Sequence, residues 1–410
     1  MLIGNAIVGQ SGGPTAAINA TLAGVIRGCR DCEAIGTLYG ALNGVEGMLA
    51  GRICDLTKYY GDSELKALSL TPSSALGSCR KKLPKYEEDE EPYKKLFELF
   101  KKNNIRYFFY IGGNDSMDTV AKLSAYSEVS GYEIRVMGVP KTIDNDVCGT
   151  DHTPGYGSAA KFIAATMQEI LRDCAVYTVK AVTIVEIMGR DAGWLTAAAA
   201  LPRLMTDVAP DLVYLPERNF DYDEFIEDIN KAFEKHPNVV IAVSEGLHTA
   251  DGHYVGEGTQ SGVADVFGHK YLSGTGKALE IYVKEKLGCK VRSVELNILQ
   301  RCASHILSGT DIDESLTVGA AAVNAAAEDG ITGEMMTFKR LSAPGEEYQC
   351  VPAHEDIKKI ANLVKTVPSD FINARGNNVT DECLRYILPL ITGEMTPDYK
   401  DGLPVHLTIK

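Results

Sequence analysis

The sequence predicts an α/β protein with mostly parallel sheets covered by helices on both faces. Two observations carry this. Short β-prone apolar runs alternate with segments of helical periodicity, the pattern of repeated strand–turn–helix units. Several of these runs end in glycine pairs that open the following helix, as in sheets that bind ligands beyond their strand ends.

Residues 3–9 form the first predicted strand, broken by Gly12-Gly13-Pro14, with a helix expected from Ala16 to Arg27 and Pro14 suited to its first turn. Residues 106–111 form a second strand, broken at Gly112-Gly113 before a helix at about Ser116–Ser127. Residues 134–140 are a short strand, and Ser158–Cys174 a long helix. Val179–Ile187, Leu212–Leu215, Val239–Ser244 and Val291–Leu299 are strands; Asp191–Leu201, Tyr222–His236 and Ser315–Glu328 are helices. Lys81–Glu91 reads as a solvated charged excursion, and Leu247–Gly276 as a functional loop or insertion. The last 70 residues give weak signals.

A chain of 410 residues suffices for two or three domains, and 45% hydrophobic with 23% charged residues is ordinary for a globular enzyme. A net charge of -14 argues against nucleic acid or an anionic membrane as partner. No apolar run approaches the roughly 20 residues needed to span a bilayer, and the N-terminus lacks a basic segment before an apolar core, so a cytoplasmic location is expected. Ten scattered cysteines read as reduced thiols, and Cys29 and Cys32, with no second pair nearby, carry no metal or redox expectation.

The chemistry lies in a few runs. Gln10–Thr15 and Ile111–Ser116 each place glycines between a strand and a helix, where free N–H groups and the positive helix end can hold phosphate; a plain βα turn would use the same glycines. Neither is a Walker loop. Asn114 is either an N-cap or part of a phosphate site, and Asp115 beside phosphate needs a metal or cation between them. In Pro140–Asp146, Asp144 and Asp146 stand two apart in an expected extended segment, so both face one way. One can act as base toward a hydroxyl while the other holds Mg²⁺; a polar turn would also use this triplet. Lys141 can reach the same cleft. Arg190 offers a planar fork to a phosphate ester, and Glu245 stands at a strand end where sugar hydroxyls bind.

Taken together, these runs resemble the phosphofructokinase family over roughly residues 3–330. The match rests on G-G-P-T, L-G-S-C-R at 76–80, G-G-N-D-S, P-K-T-I-D-N-D, E-I-M-G-R at 186–190, S-E-G at 244–246, and R-x-V-E-L-N-I-L-Q-R ending at Arg301. The resemblance implies two Rossmann-like α/β/α layered domains with the active site in the cleft between them. Residues 1–155 with about 301–395 would form the phosphoryl-donor domain, 156–300 the sugar-phosphate domain, and 396–410 a tail. It also implies Mg²⁺ as cofactor and a dimer or tetramer. Asp144 matches the family's catalytic base, Thr142 a contact to the transferring phosphoryl group, and Arg80 and Arg190 the cations that stabilise its charge. Asp146 matches a magnesium-holding acid, with Asn114 and Asp115 beside it. Gly13 and Gly113 match the phosphate loops, and Met188, Gly189, Glu245, Arg292 and Arg301 the fructose 6-phosphate site.

ATP-dependent members usually carry glycine where Asp115 and Lys141 stand. Here an acid and a lysine, which could pair with each other, fill the room of the nucleotide's α-phosphate. The resemblance therefore implies the pyrophosphate-dependent branch, with Lys141 neutralising the leaving group. An ATP-dependent kinase and a non-catalytic sugar-phosphate-binding paralogue are the alternatives. The chain departs from the family pattern at Asn114, where an acid is usual, and at Ala181 and Ile298, where ATP-type bacterial enzymes carry an arginine and a histidine; Lys180 is adjacent to the former.

Overall fold

The computed structural model describes every residue except 207, 258–273, 344, 361–362 and 410. The predicted loop at Leu247–Gly276 falls largely outside the described residues. The first sheet contains β1 (Gly4–Gln10), β2 (Ile35–Ala41), β3 (Ile53–Asp55), β4 (Ile105–Gly112) and β5 (Arg135–Pro140). A two-residue strand, β10 (Leu307–Ser308), precedes the helix Gly309–Ala327, after which β11 (Glu334–Arg340) and β12 (Cys350–Asp356) complete the first sheet in the order β12-β11-β5-β4-β1-β2-β3. The central pairs are parallel; β3 and β12 are antiparallel edges.

Strand alternation explains why helices cover both faces. Ala6, Val8, Tyr107 and Phe109 enter one core, and Ile7, Phe108 and Tyr110 the opposite one. On the first face, the helices Ile18–Asp31 and Gly309–Ala327 cross with almost no side chain between them. A Cβ at Gly24 would stand 2.2 Å from the Leu316 carbonyl oxygen, and one at Gly319 would stand 2.3 Å from that of Thr21. Only glycine allows that approach.

The second sheet is wholly parallel, with β6 (Ala181–Ile187), β7 (Leu212–Tyr214), β8 (Asn238–Ser244) and β9 (Lys290–Glu295) in the order β7-β8-β6-β9. The stretch 301–395 divides between the two halves. Its strands β11 and β12 extend the first sheet, whereas Val367, Ile372, Leu384, Ile387 and Leu390 share a core with Trp194 and Leu195.

Strand order locates the cleft. Chain progression reverses between β1 and β4, which are adjacent, and again at β6, which lies between β8 and β9. Such reversal points open crevices beyond the carboxyl ends of the strands. Two expected helix boundaries shift there. The first helix begins at Ile18, so Pro14 belongs to the preceding loop instead of a helical turn. The helix expected at Asp191–Leu201 begins at Trp194 and stops at Ala198, before Pro202 opens another short helix.

Candidate active site

A cleft of about 470 Å³ opens where the carboxyl ends of both sheets meet. From the seven-stranded sheet it receives Gly13 after β1, Gly113, Asn114 and Asp115 after β4, and Lys141, Thr142, Asp144 and Asp146 after β5. From the four-stranded sheet come Met188 and Arg190 after β6, Glu245 after β8 and Arg301 after β9. Arg80 joins from the loop between the helices Asp62–Ser69 and Glu91–Lys102. Gly189 stands just behind this wall at φ 132, donating its N–H to Glu245 Oε1 at 3.2 Å. A side chain there would meet the Ala192 carbonyl oxygen at 2.6 Å.

Lys141 is buried, only 3% exposed, with Nζ donating to the Gly13 carbonyl at 2.8 Å. The ammonium therefore ties the β5 loop to the β1 loop. Burial pulls its pKa down to about 8, against the opposing pull of Asp144 and Asp146. Lys141 and Asp115 could have paired with each other; instead, Asp115 pairs with Lys82 at 3.2 Å. Lys82 lines the cleft mouth from a charged stretch that is largely solvent-exposed, as expected. The sequence offered no signal for it, because a charge run looks the same on a surface or at the mouth of a site.

The acid pair converges by a different route from the one expected. The segment is not extended, since Asn145 takes a left-handed φ of 54, a conformation asparagine tolerates better than most residues. Thr142 Oγ1 donates to Asp144 Oδ2 at 3.2 Å and accepts the Asp144 N–H at 3.1 Å, fixing the first carboxylate. Burial raises the Asp144 pKa. Burial and the Asp144 charge push Asp146 up to about 7. Burial likewise raises Glu245 to about 8, although the Gly189 N–H opposes it. Three part-buried acids share one cleft with a buried lysine, a concentration of charge typical of a functional site.

Orphaned atoms point the same way. Thr15 Oγ1, Asn114 Oδ1 and Arg190 Nε are buried without a hydrogen-bond partner. Asn114 is no N-cap: Gly113 takes that position, and Asn114 is the first helical residue. Asn114 lines the same cleft as Asp144 and Asp146, and amide and carboxylate oxygens are the hard ligands a small divalent cation prefers. The residues present therefore fit a divalent metal.

Arg292 does not reach this cleft. It lies near the start of β9, half-exposed, beside Asp173 at 3.9 Å and lining a separate small hollow. The β9 register places it opposite Thr183 of β6, well short of the strands' carboxyl ends. Conversely, Val364 lines the cleft from a late irregular segment in which sequence periodicity shows nothing.

Glycine-opened loops at strand ends, a part-buried acid pair and a fixed ammonium are the site of a phosphotransferase. The chain belongs to the phosphofructokinase family, whose model matches residues 5–326. It is 41% identical to the pyrophosphate--fructose 6-phosphate 1-phosphotransferase of Halomonas elongata, over 98% of this chain and 94% of that one. It is 30% identical to the sulfofructose kinase of Alkalicoccus urumqiensis, over 81% of this chain and 83% of the other. The crystal structure of a pyrophosphate-dependent phosphofructokinase from Nitrosospira multiformis superposes with a TM-score of 0.88 at 38% identity, covering 99% of this chain and 96% of that chain. Among the described residues, no helix is long and apolar enough to cross a membrane.

Proposed function

We propose that this enzyme transfers a phosphoryl group reversibly from inorganic diphosphate to the 1-hydroxyl of fructose 6-phosphate, giving fructose 1,6-bisphosphate and phosphate. The reaction serves glycolysis and gluconeogenesis in the cytoplasm. The buried Lys141, bonded to Gly13, carries the choice of donor. It occupies, together with the Lys82–Asp115 pair, the room a nucleotide would require beyond two phosphates. The names of the Halomonas and Nitrosospira relatives support this reading.

Phosphoryl transfer asks mainly for positioning and charge stabilisation. Asp144, oriented by Thr142, accepts the proton of the sugar's 1-hydroxyl. Arg80, Arg190 and Lys141 take up charge on the transferring group and on the departing phosphate. Glu245, Met188, Gly189 and Arg301 hold the sugar phosphate. Asp146, Asn114 and Asp115 would hold Mg²⁺, which when bound neutralises the diphosphate oxygens. The 1–155 portion with the strands after 301 supplies the donor side, and 156–300 the acceptor side. Arg292, together with Lys180, would complete the acceptor site of a second copy in a homo-oligomer.

The test offers diphosphate and ATP separately to purified enzyme with Mg²⁺ and several ketose phosphates. Turnover with diphosphate and fructose 6-phosphate, and at least a hundredfold less with ATP, is expected. Changing both Asp115 and Lys141 to glycine should depress diphosphate use about 10²–10³-fold, the scale of losing preorganised charge stabilisation. An unweakened double variant overturns the donor assignment.

A further inference from the structure

The segment 364–367 lies beyond the 5–326 span of the family model, yet it touches the acid-pair loop and the Arg190 loop at once. On one side, Val364 bridges Val147, and the Lys365 N–H donates to the Asp146 carbonyl at 2.7 Å. Lys365 Nζ donates to Asn145 Oδ1 and the Thr150 carbonyl, each at 3.2 Å, and to the Asp151 carbonyl at 2.6 Å. All three ammonium donors are thereby used. On the other side, Trp194 Nε1 donates to the Lys365 carbonyl at 2.9 Å. The Val367 and Gly193 N–H groups both donate to Glu217 Oε1 at 2.8 Å. Gly193 and Trp194 directly follow Asp191 and Ala192, which line the cleft with Arg190.

We propose that Lys365 is a positioning residue for transfer, and that the strap 364–367 sets the spacing between the Asp144–Asp146 loop and the Arg190 loop. The inference rests on the functional reading above. Its physical logic is local. Asn145 holds a left-handed conformation, a strained choice for a non-glycine residue. It keeps that conformation because its side chain is bonded to Lys365, Tyr386 and the Thr153 N–H. Removing the ammonium frees one of these ties, leaves the Thr150 carbonyl short of a donor and leaves the Asp151 carbonyl with the Tyr386 hydroxyl alone. The carboxylates flanking Asn145 then lose their fixed aim, and small misplacements of reacting groups cost rate more than binding.

Steady-state kinetics of the full chain test this, with Lys365→Met, Lys365→Arg and Trp194→Phe. Wild-type turnover from diphosphate first establishes the reaction itself; its absence would defeat the functional reading alone. Given that turnover, Lys365→Met is expected to lose at least tenfold in kcat while KM for fructose 6-phosphate stays within twofold. Lys365→Arg should recover at least threefold of the loss. A folded Lys365→Met with kcat within twofold of wild type overturns the proposal, as does a loss shared equally by both KM values without recovery by arginine. Trp194→Phe deletes the indole donor to the strap while keeping an aromatic ring under Lys365 and against Tyr386, and it decides the matter if Lys365→Met does not fold. A threefold or greater fall in kcat at constant KM supports the strap, and an unchanged kcat overturns it. Hydrogen exchange in metal-free protein gives a reading independent of turnover. Amides of residues 143–147 should exchange at least tenfold faster in Lys365→Met, or in Trp194→Phe if that variant alone folds, and unaltered exchange there overturns the proposal.

Discussion

Gly13, Gly113, Lys141, Asp144 and Asp146, all on the carboxyl edge of the seven-stranded sheet, reach the cleft of a single chain. The four-stranded sheet brings Arg190, Glu245 and Arg301 there but keeps Arg292 away beside Asp173. The difference is one of self-sufficiency. The edge proposed as the donor edge is tied at three places within the chain, Lys141 to Gly13, Thr142 to Asp144 and Asp115 to Lys82, although Thr15 Oγ1 and Asn114 Oδ1 stay unpaired there. The acceptor edge holds its acid against a backbone N–H, leaves Arg190 Nε unpaired, and places one expected cation out of reach. A polar site can wait with unpaired donors where a charged ligand will supply the partner, whereas buried carboxylates need bracing in advance.

The largest expected effect tests the donor edge. Asp144→Ser should lower kcat about 10²–10⁴-fold, the usual worth of a positioned base, while calorimetry shows fructose 6-phosphate binding retained. Equal loss of binding would mean that the two edges are not independent. Next comes the acceptor edge. Arg292→Ala should raise KM for fructose 6-phosphate about 10–100-fold, the scale of the roughly 1.5–3 kcal/mol of a lost charged hydrogen bond. KM for diphosphate should stay within twofold. At fructose 6-phosphate well below the raised KM, mixed oligomers of Arg292→Ala and Asp144→Ser chains should exceed the summed activity of the two parents, because some clefts then combine an intact base with a partner's arginine. No excess breaks the comparison.

The smallest effect concerns the scaffold behind the donor edge. His152, 3% exposed at its side chain, meets Asp151 with one ring nitrogen at 2.9 Å and Glu314 with the other at 2.6 Å. Burial opposes its charge, but Glu314 and Asp151 raise its pKa. A raised folded value means stabilisation that is complete below the unfolded pKa of about 6.5 and is lost as pH rises through the folded value. His152→Gln should therefore lower the melting temperature more at pH 5.5 than at pH 9. A deficit independent of pH would refute the charged state.

Most of the donor edge was legible in the sequence because glycine pairs, Lys141 and the two acids stand together at strand ends. Local order and side-chain chemistry coincide there. What sequence could not convey depends on contacts far along the chain. Nothing near Lys82 marks Asp115 as its partner. Asn145 looks like the middle of an extended acid pair, and its left-handed turn is held by Lys365 and Tyr386 from the C-terminal part of the chain. The strap itself has no period to recognise, since its worth lies in single bonds to two loops.

The bare crossing at Gly24 and Gly319 has a further consequence, in the order of synthesis. A chain leaving the ribosome makes β1 and the helix Ile18–Asp31 first, yet the helix that covers them ends only at Ala327. Domains mature as units during translation, so this strand and helix wait for a helix made about three hundred residues later before that face is sheltered from water. Until then, that apolar surface is open to chaperones or to other nascent chains.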